Sequence, residues 1–128
     1  MKITQHYVAL DAVDYWAEAE FWAAVFGGEV RDEFDWDDWL TVAVDGRTVV
    51  AVQHAPDHVA PDWPSDDPGR QQLQAHLDIY VEQREVAAAE AEVLALGARL
   101  LQAHEEVTEP EGFRVYADPA GHPFCICW

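Results

Sequence analysis

Apolar and polar positions along the chain change their spacing in one fixed order, and they do so twice. Residues 3–11 alternate, with Val8 and Leu10 set against Tyr7 and Ala9, which predicts a strand. The period then lengthens: Tyr15, Ala19, Trp22 and Phe26 recur at helical spacing behind Asp14, a good N-cap, and Gly27-Gly28 ends the run. A short charged strand is expected within 29–35. Two β-rich runs, 39–44 and 48–54, flank Asp45-Gly46, a strong hairpin signal.

The order then restarts. Residues 74–81 read as a strand with His76, Asp78 and Tyr80 on one face and Leu77, Ile79 and Val81 on the other. Val86, Ala89, Val93 and Leu96 mark the buried face of a helix over 86–96, ended by Gly97. Strands follow over 98–104, 112–117 and 124–128, with an acidic loop over 105–111. In the last strand Cys125 and Cys127 share a face opposite Phe124, Ile126 and Trp128.

The chain is therefore two tandem βαβββ modules, 1–55 and 74–128, in one domain. The 56–73 segment between them is Pro- and Asp-rich, aperiodic, and long enough to serve as a cover. Phe26-Gly27-Gly28-Glu29-Val30 repeats as Leu96-Gly97-Ala98-Arg99-Leu100, and His6 and His76 precede their glycines by the same interval. Modules this small close a core by pairing, which makes the fold class α+β.

Charge narrows the partners. Twenty-five acidic residues against seven Lys and Arg give a formal charge of −18, with acidic clusters at 29–38, 57–67, 82–92 and 105–111. Such a surface repels phosphate backbones and anionic lipid, so neither nucleic acid nor membrane is an expected partner. No apolar run reaches membrane-spanning length, and two cysteines at this spacing suit a reduced, cytoplasmic protein better than a disulfide.

The module pattern, the helix ends Phe-Gly-Gly and Leu-Gly-Ala, and the run from Phe113 through Asp118-Pro119-Ala120-Gly121 to Cys125 carry a resemblance. The whole chain resembles the vicinal oxygen chelate superfamily, and within it the glyoxalase-like domain proteins of the glyoxalase, bleomycin-resistance and dioxygenase type. The resemblance implies a curved, partly closed mixed sheet with outer helices, around a cavity. Its members include lyases, isomerases, ring-cleaving dioxygenases, fosfomycin-modifying enzymes and proteins that sequester antibiotics.

In metal-using members each module supplies one ligand from its first strand and one from its last. The matching positions here are His6 or Tyr7, Gln53, His76 and Cys125. Counting from Gly27 selects His6 and counting from Asp14 selects Tyr7, and the two would face opposite sides. An amide and a thiol stand where a carboxylate is expected, which removes both a hard-metal ligand and the usual general base. The expected protein is thus a small-molecule binder with no metal cofactor. Tyr7, Trp39, Gln53, Trp63, His76, Asp78, Tyr80 and Cys125 are its candidate cavity residues, and a cationic or aromatic molecule is its expected ligand. Trp36 joins Trp39 and Trp63 as a candidate for a cavity wall or a homodimer surface, whereas His54, His58, His104 and His122 read as solvated. The alternatives are a metal-dependent lyase, isomerase or dioxygenase holding a divalent ion at His6, Gln53, His76 and Cys125, and a non-catalytic module whose tryptophans bind a protein.

Overall fold

Asp14 caps the first helix as its position predicts: its carboxylate accepts from the Ala17 N–H at 3.0 Å. The helix, α1, runs Tyr15–Phe26 and ends at Gly27 in the left-handed conformation, φ 64°. These details come from a computed structural model that describes residues 1–33, 37–103 and 106–128. The expectations for Trp36 and His104 lie outside the described residues.

Two compact units are present, Met1–His58 and Val59–Trp128. In the first, β1 (Val8–Ala12) precedes α1, and β2 (Glu29–Arg31), β3 (Trp39–Val44) and β4 (Arg47–His54) follow it. The sheet order is β1-β4-β3-β2, with β1 parallel to β4 and the other pairs antiparallel. The β3–β4 turn places Asp45 at φ 49° and Gly46 at φ 78°, the two positive values a type I′ hairpin requires.

α1 packs on β3 and β4. Trp22, Ala19, Leu40, Val42, Val50 and Val52 are all nearly or fully buried. Each large side chain so buried contributes about 1.5–3 kcal/mol. Glu18 is fully buried with them, and its carboxylate accepts from the Trp22 indole N–H one turn on, at 2.8 Å.

The second unit repeats the plan: β5 (Leu77–Tyr80), α2 (Val86–Ala95), β6 (Arg99–Ala103), β7 (Phe113–Ala117) and β8 (Pro123–Cys127). Its sheet order is β5-β8-β7-β6, with β5 parallel to β8. One difference from the first unit is a 3-10 turn, Gln83–Glu85, that precedes α2. Val86 and Val93 of α2 are buried, as are Tyr116, Phe124 and Ile126 of the sheet. Glu90 of α2 accepts from the Tyr116 hydroxyl at 2.5 Å and from Arg114 at 2.8 Å.

The α+β class and the two βαβββ units agree with the sequence pattern. Both first strands begin later than alternation suggested, at Val8 and Leu77, so His6, Tyr7 and His76 lie just ahead of strand pairing. Among the described residues no helix is long and apolar enough to cross a membrane.

Candidate functional site

Register assembles the site in the second unit. Across β5, β8 and β7, Asp78 pairs with Cys125, which pairs with Val115; one row on, Tyr80 pairs with Cys127, which pairs with Phe113. Paired positions point to one face of a sheet, so these rows form a patch opposite the face that carries Phe124 and Ile126. The 56–73 segment adds a wall. Trp63 packs against Val115, Cys125 and Cys127, and its indole stacks on the His76 imidazole with centroids 5.2 Å apart and planes 23° apart.

The far rim is fixed by main chain. Gly112 and Trp128 exchange backbone hydrogen bonds of 3.2 and 3.1 Å, which sets Glu111 and the Trp128 indole at the edge. The Trp128 indole N–H donates to the Glu109 carbonyl at 3.2 Å, and the Gln83 side-chain amide donates to the Val107 and Glu109 carbonyls. The cleft is open to solvent, measures about 560 Å³ and is lined by Trp63, His76, Asp78, Tyr80, Cys125 and Cys127, with Glu111, Phe113 and Trp128 toward the rim.

On the cleft floor the His76 Nε2 lies 3.3 Å from the Asp78 Oδ1. One donor atom each from His76, Asp78 and Cys125 falls within 4.8 Å of the others. Both thiols are free and buried. Burial, then the nearby Asp78 carboxylate, pushes the Cys125 thiol up to about 12, and the same two causes raise Cys127. Both are therefore neutral thiols near neutral pH, poor nucleophiles in the absence of an activating cation.

The first unit carries a matching row. Asp11, Gln53 and Trp39 are paired across β1, β4 and β3, as Asp78, Cys125 and Val115 are in the second unit. Asp11 thus stands where Asp78 stands, and Ala9 where His76 stands. Tyr7 precedes β1 and is exposed, as is His6.

Of the candidate residues, Trp63, His76, Asp78, Tyr80 and Cys125 meet in one cleft, and Trp39 and Gln53 share a sheet row. The sequence reading did not single out Glu111, Phe113 or Trp128 as cleft residues. Period-two counting from Cys125 places Cys127 on the same face, whereas the pairing of Asp11 with Gln53 has no local signal in the sequence.

A family model of the glyoxalase-like domain matches residues 7–127, nearly the whole chain. The chain belongs to the glyoxalase-like domain family, within the vicinal oxygen chelate superfamily. Solved structures agree on the fold. A glyoxalase/bleomycin resistance protein/dioxygenase family enzyme from Burkholderia phytofirmans superposes with a TM-score of 0.68 at 17% identity, over 94% of each chain. A glyoxalase-related enzyme from Fulvimarina pelagi gives 0.65 at 22% identity, over 98% of this chain and 88% of that one. A variant of the fosfomycin resistance protein FosX from Listeria monocytogenes, complexed with Mn(II) and 1S,2S-dihydroxypropylphosphonic acid, gives 0.69 at 14% identity, over 98% and 92%. No curated protein sequence matches the chain.

The donor set of this glyoxalase-like chain does not fit a hard divalent ion such as manganese, which favours carboxylate, carbonyl and water oxygens. The donors that cluster on the cleft floor are one imidazole, one carboxylate and one thiol. Gln53 and the residues around Tyr7 belong to the other unit and add no carboxylate at the family's ligand positions.

Proposed function

We propose that the protein is a glyoxalase-like small-molecule-binding protein whose second-unit cleft receives a cationic ligand with aromatic or apolar surface, and that it does so without the family's four-ligand hard-metal site. One observation carries this reading. Among the described residues, the cleft is walled by Trp63, Tyr80, Phe113 and Trp128, carries the carboxylates of Asp78 and Glu111, and has no lysine or arginine in its lining. Aromatic faces attract a cation through their quadrupoles, and each such contact is worth about 0.5–2 kcal/mol depending on how dry the site is. The chain's charge of −18 adds long-range attraction for the same ligands.

The contrast with FosX follows from charge. The ligand seen with that protein is a phosphonate, an anion, and this cleft would repel it. Protonated thiols, and the absence of a carboxylate at the family's ligand positions, favour holding a ligand over transforming it. Free, buried cysteines also suit a reducing compartment.

The test is a calorimetric titration, in the presence of a chelator, with three aromatic probes of similar size: a quaternary ammonium, a neutral isostere and a phosphonate. Saturable binding of the cation, at least roughly tenfold tighter than the isostere, with none of the phosphonate, is the expected result. Equal binding of cation and isostere, or preference for the phosphonate, sinks the reading.

A further inference from the structure

The cleft floor brings together three donors that the family's ligand pattern does not contain as a set. His76 stands just ahead of β5, Asp78 lies on it, and Cys125 is its register partner on β8, so one unit supplies all three. Their donor atoms lie within 4.8 Å of one another, and the His76 Nε2 to Asp78 Oδ1 separation is already 3.3 Å. Donors around a tetrahedral zinc ion stand roughly 3.3–3.8 Å apart, given bonds of about 2.0–2.3 Å. Small side-chain rotations therefore close the set. Cys125 is only 3% exposed yet lines the cleft, so its sulfur faces the cleft and not bulk solvent. The Trp63 indole, stacked on the His76 ring, holds that ring in place.

From this geometry we infer that His76, Asp78 and Cys125 form a three-ligand site for a thiophilic divalent cation, zinc or cobalt, whose fourth position opens into the cleft. The donor chemistry decides the ion. Imidazole, carboxylate and thiolate together suit zinc, whereas manganese gains little from sulfur. When the ion binds, a sulfur–metal bond replaces the Cys125 S–H bond and the proton leaves to solvent. The inference does not rest on the organic-cation reading. Asp78 serves both, so an ion on the floor and an organic cation above it compete.

The test uses the full chain, stripped with a chelator and dialysed, then titrated with Co(II), Zn(II) and Mn(II). The expected result is about one Co(II) per chain, with a sulfur-to-cobalt charge-transfer band in the near ultraviolet that zinc displaces. Zinc should bind at least roughly 100-fold tighter than manganese. Cys125→Ser, a near-isosteric change, should remove the band and weaken zinc at least roughly tenfold, and His76→Ala, at a partly exposed position, should weaken zinc comparably with the band retained. A cobalt spectrum without the sulfur band, manganese binding as tight as zinc, or no stoichiometric zinc at all overturns the inference. The organic-probe titration in chelator separates the two proposals. Probe binding without zinc binding removes only the metal site, and zinc binding without probe binding removes only the organic-ligand reading.

Discussion

The Trp63 indole lies against the His76 imidazole at a 5.2 Å centroid separation, so the segment between the strand-rich regions reaches the cleft through one side chain. That segment is rich in proline and aspartate and closes on itself: Arg70 pairs with Asp62 at 2.9 Å, and the Asp62 N–H donates to the Gln71 carbonyl at 2.9 Å. Trp63 is its anchor on the Val115, Cys125 and Cys127 cluster. Trp63→Ala should weaken an aromatic cation by roughly 3- to 30-fold, the equivalent of one cation–π contact, while Trp63→Phe should recover part of the loss. Calorimetry on both variants checks this. Equal affinities for wild type and alanine variant would place the ligand elsewhere.

Charge in the cleft gives a second expectation. Asp78→Asn keeps the shape of the floor and removes one of its two carboxylates, the other being Glu111 at the rim. Affinity for the quaternary ammonium probe should fall by roughly tenfold, and its dependence on salt should flatten, because a screened attraction has been deleted. Glu111→Gln, at an exposed position, should cost less. The neutral isostere should be indifferent to both changes.

Local signals with a backbone consequence were legible in the sequence. Asp14, Gly27 and Asp45-Gly46 each specify a dihedral or a cap, and each stands where it was expected. The shared faces of His76, Asp78 and Tyr80, and of Cys125 and Cys127, follow from strand alternation alone. Register between distant strands was not legible. Equal intervals from His6 to Gly27 and from His76 to Gly97 suggested equivalent positions, yet the second unit spends residues on the Gln83–Glu85 turn, and the row of Asp78 is matched by Asp11. The sequence does not single out Glu18, yet its carboxylate is held in the core by the Trp22 indole, a pairing that only the packed helix shows.

The Glu90 pair of contacts makes stability depend on acid. The Tyr116 hydroxyl, then Arg114, holds the Glu90 carboxyl below its ordinary range against the opposing effect of burial. A carboxyl lowered by folding contributes stability that is complete above its unfolded value, about 4.3, and is lost as pH falls through the folded value. Tyr116→Phe removes the leading contact and should cost about 1–2 kcal/mol at neutral pH. The difference between wild type and variant should shrink as the pH is lowered toward 3. Urea unfolding at neutral pH and in acid measures this, and a difference that stays constant or grows in acid would show that the hydroxyl acts through packing instead.

Gly121 links the family's most specific turn to the covering segment. Its backbone sits at φ 96°, and a Cβ built there would fall 2.5 Å from the Ala60 Cβ, a separation that real carbon atoms do not tolerate. Gly121→Ala therefore meets two costs, a left-handed backbone and a clash, together about 1–3 kcal/mol. The clash has a direction: relief requires the chain around Ala60 to move away, and Trp63 lies three residues further on. The alanine variant should lower the melting temperature and also weaken the aromatic cation, whereas Tyr116→Phe, on the opposite face of the same sheet, should lower only the melting temperature. Thermal denaturation and probe titration on the two variants separate these effects. Unchanged probe affinity in Gly121→Ala would show that the turn and the tryptophan wall are independent.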